Sequence, residues 1–143
     1  MARSDQELSG KVAFITGGGS GIGKAAALEL AAAGADIAVL TRSRDEAEET
    51  AAEARAKGVR AIALTGDISV AEEIEAAIGR VVAELGRLDI LVANAGINGV
   101  WAPIDDLAPE EWDKTIAINL RGTFLTLRYS VPHMLADGGA III

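Results

Sequence analysis

The sequence predicts an α/β protein built on a doubly wound parallel sheet, and three observations carry this prediction. Short apolar runs alternate with stretches of helical periodicity along the 143 residues. The apolar runs are nearly continuous, which is typical of parallel strands covered on both faces. Glycine lies just beyond three of the helical stretches, at Gly34, Gly58 and Gly86, where a helix commonly ends. Strand–helix repeats of this kind form parallel strands with right-handed crossovers.

Turn and capping residues bound the predicted elements. The strands are expected at 11–16, 36–41, 59–64, 88–93 and from 140 onward, and the helices at 21–33, 45–57, 69–85 and 109–131. Asp45 is predicted to cap the second helix. Ser69 is predicted to cap the third, with Glu72 completing a capping box. We expect one domain, 1–143, which stops in its fifth strand and is therefore incomplete.

The fourth predicted helix starts at Pro109, a favoured first helical position, and Pro132 should distort its last turn. Asn119 lies in its middle and is a poor helix former, so full exposure is not expected there. Either it locks a kink in the helix or it reaches into a site and holds water. One face of the helix is predicted to carry an apolar stripe, formed by Trp112, Ile116, Leu120, Phe124, Leu127 and Val131.

The stretch 12–23 joins an apolar strand to a glycine-rich turn and a helix start, with the pattern Thr16-Gly17-x-x-x-Gly21-x-Gly23. Free N–H groups and the helix dipole favour an anion there, and glycine lets a pyrophosphate approach the backbone. We count Gly19 among these cofactor contacts. A P-loop is excluded because Ala25 stands where that motif needs a hydroxyl. The alternative is a purely structural tight turn.

The second strand ends at Thr41 and is followed by Arg42, Ser43 and Arg44, with no carboxylate before Asp45. An acidic residue here would bind the ribose 2′-hydroxyl of NAD, whereas a basic one accommodates a 2′-phosphate. The hypothesis is therefore a preference for NADP(H), with Arg42 as the main contact, Ser43 as a helper and NAD as the alternative cofactor. Solvated surface arginines are the competing interpretation.

The next two strand ends carry further candidates. Asp67 could accept a hydrogen bond from an adenine amino group, with Ile68 packing on the ring; alternatively Asp67 only caps the turn before Ser69. Asn94, Ala95 and Gly96 would let a cofactor pass close to the backbone. The asparagine could tie neighbouring strands together, although a plain turn uses the same residue types.

Composition excludes several functions. The net charge of −8 argues against binding nucleic acid or anionic membranes. The apolar runs are too short to span a bilayer. The chain has no cysteine and one histidine, so a structural zinc site is not expected and no metal is predicted. The absence of cysteine is compatible with the cytoplasm, which is the expected location.

Together these motifs resemble the classical short-chain dehydrogenase/reductase family over essentially the whole chain. The resemblance rests on Thr16–Gly23, Asp67, Asn94-Ala95-Gly96 and Asn119 within Ile118-Asn119-Leu120-x-Gly122. It implies a Rossmann-like domain and hydride transfer between a nicotinamide and an alcohol or carbonyl substrate. It also implies that Asn119 is a catalytic residue that positions a water. The implied cofactor contacts are Gly17, Ser20, Gly21, Ile22, Gly23, Asp67, Ile68, Asn94, Ala95 and Gly96.

The family's catalytic serine and Tyr-x-x-x-Lys motif are not present at the required place, since Tyr129 is followed four residues later by His133. We therefore expect no substantial dehydrogenase activity from this chain alone. The resemblance implies a homotetrameric parent enzyme. A non-catalytic nucleotide-binding or interaction module is the alternative function.

Overall fold

A five-stranded parallel sheet with helices on both faces forms the framework of the protein, as predicted. The computed structural model describes residues 6–143. The strands are β1 (Val12–Thr16), β2 (Asp36–Thr41), β3 (Ala61–Thr65), β4 (Ile90–Ala93) and β5 (Ala140–Ile142). The helices are α1 (Gly21–Ala32), α2 (Arg44–Arg55), α3 (Ala71–Leu85), α4 (Pro109–Ile116) and α5 (Thr123–Ser130).

The strand order is β3-β2-β1-β4-β5, and each adjacent pair is parallel. The chain builds the sheet outward from β1 to β3 and then returns to the other side of β1 as β4. The order therefore reverses between β1 and β4. Parallel α/β sheets bind ligands beyond the carboxyl ends of their strands at such a point.

Side-chain alternation along β1 divides the core into two layers. Val12 and Phe14 pack with α3, whereas Ala13 and Ile15 pack with alanines of α1 and α2. Successive residues of a strand point to opposite faces, so a continuous apolar run serves both layers. All four side chains are buried, which confirms the interpretation of this run as a strand covered on both sides.

Two predicted helix caps are wrong. Ser43, two residues before the expected cap Asp45, caps α2 by accepting a hydrogen bond from Glu46 N at 3.3 Å. The N-cap of α3 is Val70, with no side-chain cap. Ser69 instead donates both its backbone N–H and its hydroxyl to Asp67, because a short Asx turn precedes this helix.

The long fourth helix departs from the prediction in two ways. Residues Ala117–Gly122 form a π-helical turn between α4 and α5, and Pro132 lies in a tight 3-10 turn, Val131–His133, which is the distorted last turn that was predicted. The predicted apolar face is only partly covered: Leu127 packs against the core, whereas Trp112, Leu120 and Phe124 are exposed. The π-helical turn inserts one residue and rotates the side chains that follow it, so that Leu125 and not Phe124 points inward.

Across residues 6–143, no helix combines the length and the apolar character that crossing a membrane requires. The same residues hold no group of three or more histidine and acidic side chains placed to bind a metal ion.

Candidate functional site

A cavity of about 580 Å³ lies beyond the carboxyl ends of β1 to β4, at the reversal of strand order. Its volume is in the range of small-molecule sites. Every predicted cofactor contact lines it except Gly19, Gly23 and Ser43. The lining residues are Gly17, Ser20, Gly21, Ile22, Leu40, Thr41, Arg42, Gly66, Asp67, Ile68, Asn94, Ala95, Gly96, Ile97 and Ile118.

The glycine turn after β1 opens the start of α1 toward this cavity. Gly17 and Gly21 have φ angles of 65° and 53°, which favour glycine. Ser20 is the extended N-cap of α1 and makes no side-chain cap. The first N–H groups of a helix have no intrahelical partner, so this end of α1 can donate to an anion.

Asn94 and Thr16 fix the glycine turn against β4. The Asn94 side-chain amide donates to the carbonyl oxygens of Thr16 and Gly17 at 3.2 and 3.3 Å. The buried Thr16 hydroxyl accepts the N–H groups of Asn94 and Ala95, each at 3.1 Å. The asparagine thus ties neighbouring strands together, one of the roles that the sequence suggested.

Gly23 does not line the cavity but lets α1 start close behind the turn. A Cβ on Gly23 would lie 2.2 Å from the Gly17 carbonyl oxygen and 2.6 Å from the Asn94 amide nitrogen. Such contacts are impossible, so any side chain here would push α1 away from β1. This residue shapes the site without facing it.

Asp67 lies in the turn after β3, on the opposite wall. Its Oδ1 accepts the Ser69 hydroxyl at 2.6 Å and the Ser69 N–H at 2.9 Å. These two bonds hold the pKa of the Asp67 carboxyl below its usual value, and the nearby Arg42 charge lowers it further while burial opposes the change. The residue therefore caps its own turn and also presents an ionised carboxylate to the cavity.

Arg42 lies on the cavity wall directly after β2 and is exposed. Of the two arginines that follow β2, only Arg42 therefore lines the cavity. Arg44 lies instead in a polar groove beside β3, together with Arg55 and Arg80. Ser43 uses its hydroxyl to cap α2, which holds Arg42 next to the start of that helix.

Asn119 sits in the π-helical turn and joins it to the loop after β4. Its Oδ1 accepts the Ile97 N–H at 2.8 Å, and its Nδ2 donates to the Ile97 carbonyl at 2.7 Å. Asn119 is exposed, yet its side-chain amide is held in place. The reason is that its two polar atoms pair with backbone at the open rim of the sheet and not inside a packed layer.

The same turn makes contacts with the other wall that sequence reasoning missed. Arg121 donates to the Ser69 carbonyl oxygen. A Cβ on Gly122 would lie 2.7 Å from the Ile68 side chain, so this glycine permits close packing against the turn after β3. The spacing of Asn119 and Gly122 was the available signal, but it did not reveal which loop each residue touches.

Comparison with known proteins gives a consistent result. The sequence profile of a family described as short chain dehydrogenase matches residues 11–143. An uncharacterized oxidoreductase of Thermotoga maritima is 42% identical over 136 residues, which are 95% of this chain and 53% of that protein.

Two solved structures are similar throughout the chain. A 3-ketoacyl-ACP reductase from Sinorhizobium meliloti 1021 is 58% identical, with a TM-score of 0.89 over 91% of this chain and 51% of its own. An NAD+-bound xylitol dehydrogenase is 34% identical, with a TM-score of 0.92 over 95% of this chain and 53% of its own. The chain thus spans about half the length of the proteins it matches.

Proposed function

Because the chain belongs to the short-chain dehydrogenase family, we propose that it is the cofactor-binding part of an oxidoreductase that uses NADP(H). The observation that carries this proposal is the cavity itself. It joins an open helix start, a basic residue after β2 and an acidic turn after β3 at one reversal of strand order. An open helix start suits a diphosphate and a basic residue after β2 suits a ribose 2′-phosphate, while the Asp67 carboxylate can accept a hydrogen bond from an adenine amino group.

The residues fit such a cofactor. The diphosphate would lie against the backbone of Ser20 to Ile22, where no side chain caps α1. The adenosine would lie between Arg42 and the Asp67–Ile68 turn, and the nicotinamide would extend toward Asn94 and Asn119. When bound, a nicotinamide cofactor supplies the hydride, whereas the protein binds it, orients it and manages the proton.

In this proposal Asn119 serves the nicotinamide end. Its amide holds the backbone of Ile97, a residue that lines the cavity, so the π-helical turn fixes the loop along which the nicotinamide would lie. Positioning a water near the reacting atoms is the further role we propose for it. The substrate in the parent enzyme would be a small alcohol or carbonyl compound, and the location cytoplasmic.

We propose that the exposed apolar face of α4, the π-helical turn and α5 is where the parent enzyme assembles as a homotetramer. Trp112, Leu120 and Phe124 are each more than half exposed on this face. Large apolar surface that is exposed in this way is typical of interaction sites. Light scattering on the parent enzyme would measure this, and a monomeric mass would contradict it.

Replacing Arg42 tests the cofactor preference. We expect Arg42→Ala to weaken NADPH binding by roughly tenfold to a hundredfold, because hydrogen bonds to charged groups contribute about 1.5–3 kcal/mol. NADH binding should change by less than about threefold, since NADH lacks the 2′-phosphate that such bonds would serve. Isothermal titration calorimetry with NADPH and with NADH measures the ratio of the two dissociation constants.

Arg44→Ala is the matched control, because it removes the same charge from a residue that lies outside the cavity. Its ratio of dissociation constants should equal that of the unaltered chain. Binding of NADH by the unaltered chain that is equal to or tighter than its binding of NADPH would overturn the preference.

A further inference from the structure

The start of α2 places an acidic side chain beside the glycine turn, opposite the basic residue that the proposed function uses. A Cβ built on Gly19 would lie 2.8 Å from Glu46 Cβ, 3.0 Å from Glu46 Oε2 and 3.0 Å from Thr41 Cγ2. The Glu46 side chain therefore packs against the glycine turn next to the end of β2. Thr41 and Arg42 line the cavity, and Glu46 lies beside the glycine turn at the wall that these two residues form.

The capping of α2 accounts for this placement. Ser43 and Glu46 have the spacing of a capping box, and the Ser43 hydroxyl accepts the Glu46 N–H. No return bond from the Glu46 carboxylate to Ser43 N accompanies it among the described hydrogen bonds. The carboxylate is directed instead to the glycine turn.

Three other acidic residues of α2 are paired with cations. Glu49 and Glu53 pair with Lys24 at 2.6 and 2.9 Å, and Glu48 pairs with Arg55 at 2.6 Å. Glu46 is exposed and has no ion pair among residues 6–143. Its negative charge is therefore not neutralised by a neighbouring cation among these residues, and it can repel or attract a ligand bound beside the glycine turn.

We propose that Glu46 is a specificity-determining residue that opposes a 2′-phosphate at the site where Arg42 attracts it. The inference rests on the proposed function. A 2′-phosphate carries close to two negative charges at neutral pH, so a nearby carboxylate disfavours it. A 2′-hydroxyl is neutral and can donate a hydrogen bond to the same carboxylate. Arg42 and Glu46 together, and not Arg42 alone, then set the ratio of NADP(H) to NAD(H) affinity.

The test compares Glu46→Gln with Asp45→Asn. Both variants remove one negative charge from the first turn of α2, but Glu46, and not Asp45, provides the nearest atoms to a Cβ built on Gly19. Glutamine keeps the size of the side chain and is accepted in a capping box, so folding should be unaffected. Titrations with NADPH and NADH are run on each variant and on Arg42→Ala.

We expect Glu46→Gln to strengthen NADPH binding about five- to tenfold at low salt while NADH binding stays within about twofold. The gain should largely disappear near 1 M salt, where the Debye length is about 3 Å. A structural change would not show this salt dependence. Asp45→Asn should alter neither affinity by more than about twofold.

The two proposals fail in different ways. Equal effects of Glu46→Gln and Asp45→Asn, or a parallel gain for both dinucleotides, would overturn the role of Glu46 while the Arg42→Ala result stands. Absence of dinucleotide binding by the unaltered chain, or an Arg42→Ala variant with an unchanged ratio, would overturn the proposed function itself.

Discussion

Gly23→Ala is expected to lower the stability of the protein by about 3 kcal/mol or more and to abolish NADPH binding. The new Cβ would meet the Gly17 carbonyl oxygen at 2.2 Å and the Asn94 amide at 2.6 Å. Neither neighbour can move freely, because Asn94 ties β4 to the glycine turn. The start of α1 must shift, and its N–H groups then no longer face the cavity. Thermal unfolding should show a midpoint lower by roughly 10 °C.

Gly79→Ala provides the matched control. Gly79 lies within α3 and is exposed, and an added Cβ there would meet no atom within 4 Å. Alanine is favoured over glycine inside a helix, so this variant should gain about 0.5–1 kcal/mol. A Gly23→Ala variant that unfolds and binds NADPH like the original chain would refute the tight approach of α1 to β1.

Asp89→Ala is expected to cost about 3 kcal/mol of stability. Asp89 is only 5% exposed, at the amino end of the sheet between β1 and β4. Its carboxylate accepts the Val12 N–H at 2.9 Å and forms a two-pronged pair with Arg87 at 2.6 and 2.8 Å. Alanine leaves the buried Val12 N–H without an acceptor, and hydrogen bonds to charged groups contribute about 1.5–3 kcal/mol each.

Urea unfolding compares this variant with Asp137→Ala. Asp137 approaches Arg87 only at 3.9 Å and is largely exposed, so its loss should change stability by less than about 0.5 kcal/mol. Similar losses of unfolding free energy in the two variants would show that the buried Asp89 carboxylate contributes no more to stability than an exposed one.

The same carboxylate predicts the direction of acid sensitivity. Burial raises the pKa of Asp89, but the bonds from Arg87 and Val12 outweigh it, and the pKa stays below the ordinary value of 3.8. A lowered pKa in the folded state means that the stabilisation is present above about pH 4 and is lost as the pH falls through and below it. The stability difference between the original chain and Asp89→Asn should therefore be constant from neutral pH to about 5 and shrink toward pH 3. A difference that grows on acidification would contradict this.

The sheet and the cavity could be predicted because their signals are local. An unbroken apolar run such as 12–16 serves two packed layers, and the glycines after it allow a turn that other residues cannot adopt. Because the strands are parallel, their carboxyl ends lie at the same edge of the sheet. For this reason most of the predicted contacts, including Arg42 and Asp67, do line one cavity.

The errors lie where tertiary geometry overrides a local pattern. The periodicity of the fourth helix assumed 3.6 residues per turn, and the π-helical turn at 117–122 rotated the following residues out of register. Several polar residues stood within reach of each helix start, so Ser43 and Asp45 were equally good candidates for a cap. The approach of Glu46 to Gly19 joins two elements 27 residues apart, and no sequence signal predicted it.

The most direct test of the account is an NMR titration of the 143-residue chain with NADPH and with NADH. We expect one NADPH bound per chain, tighter than NADH, with amide shifts concentrated in the glycine turn, in Arg42 and in the Asp67–Ile68 turn. Gly23→Ala should show none of these shifts. Absence of binding at millimolar dinucleotide, or shifts centred on the groove beside β3, would contradict the assignment of the cavity as a dinucleotide site.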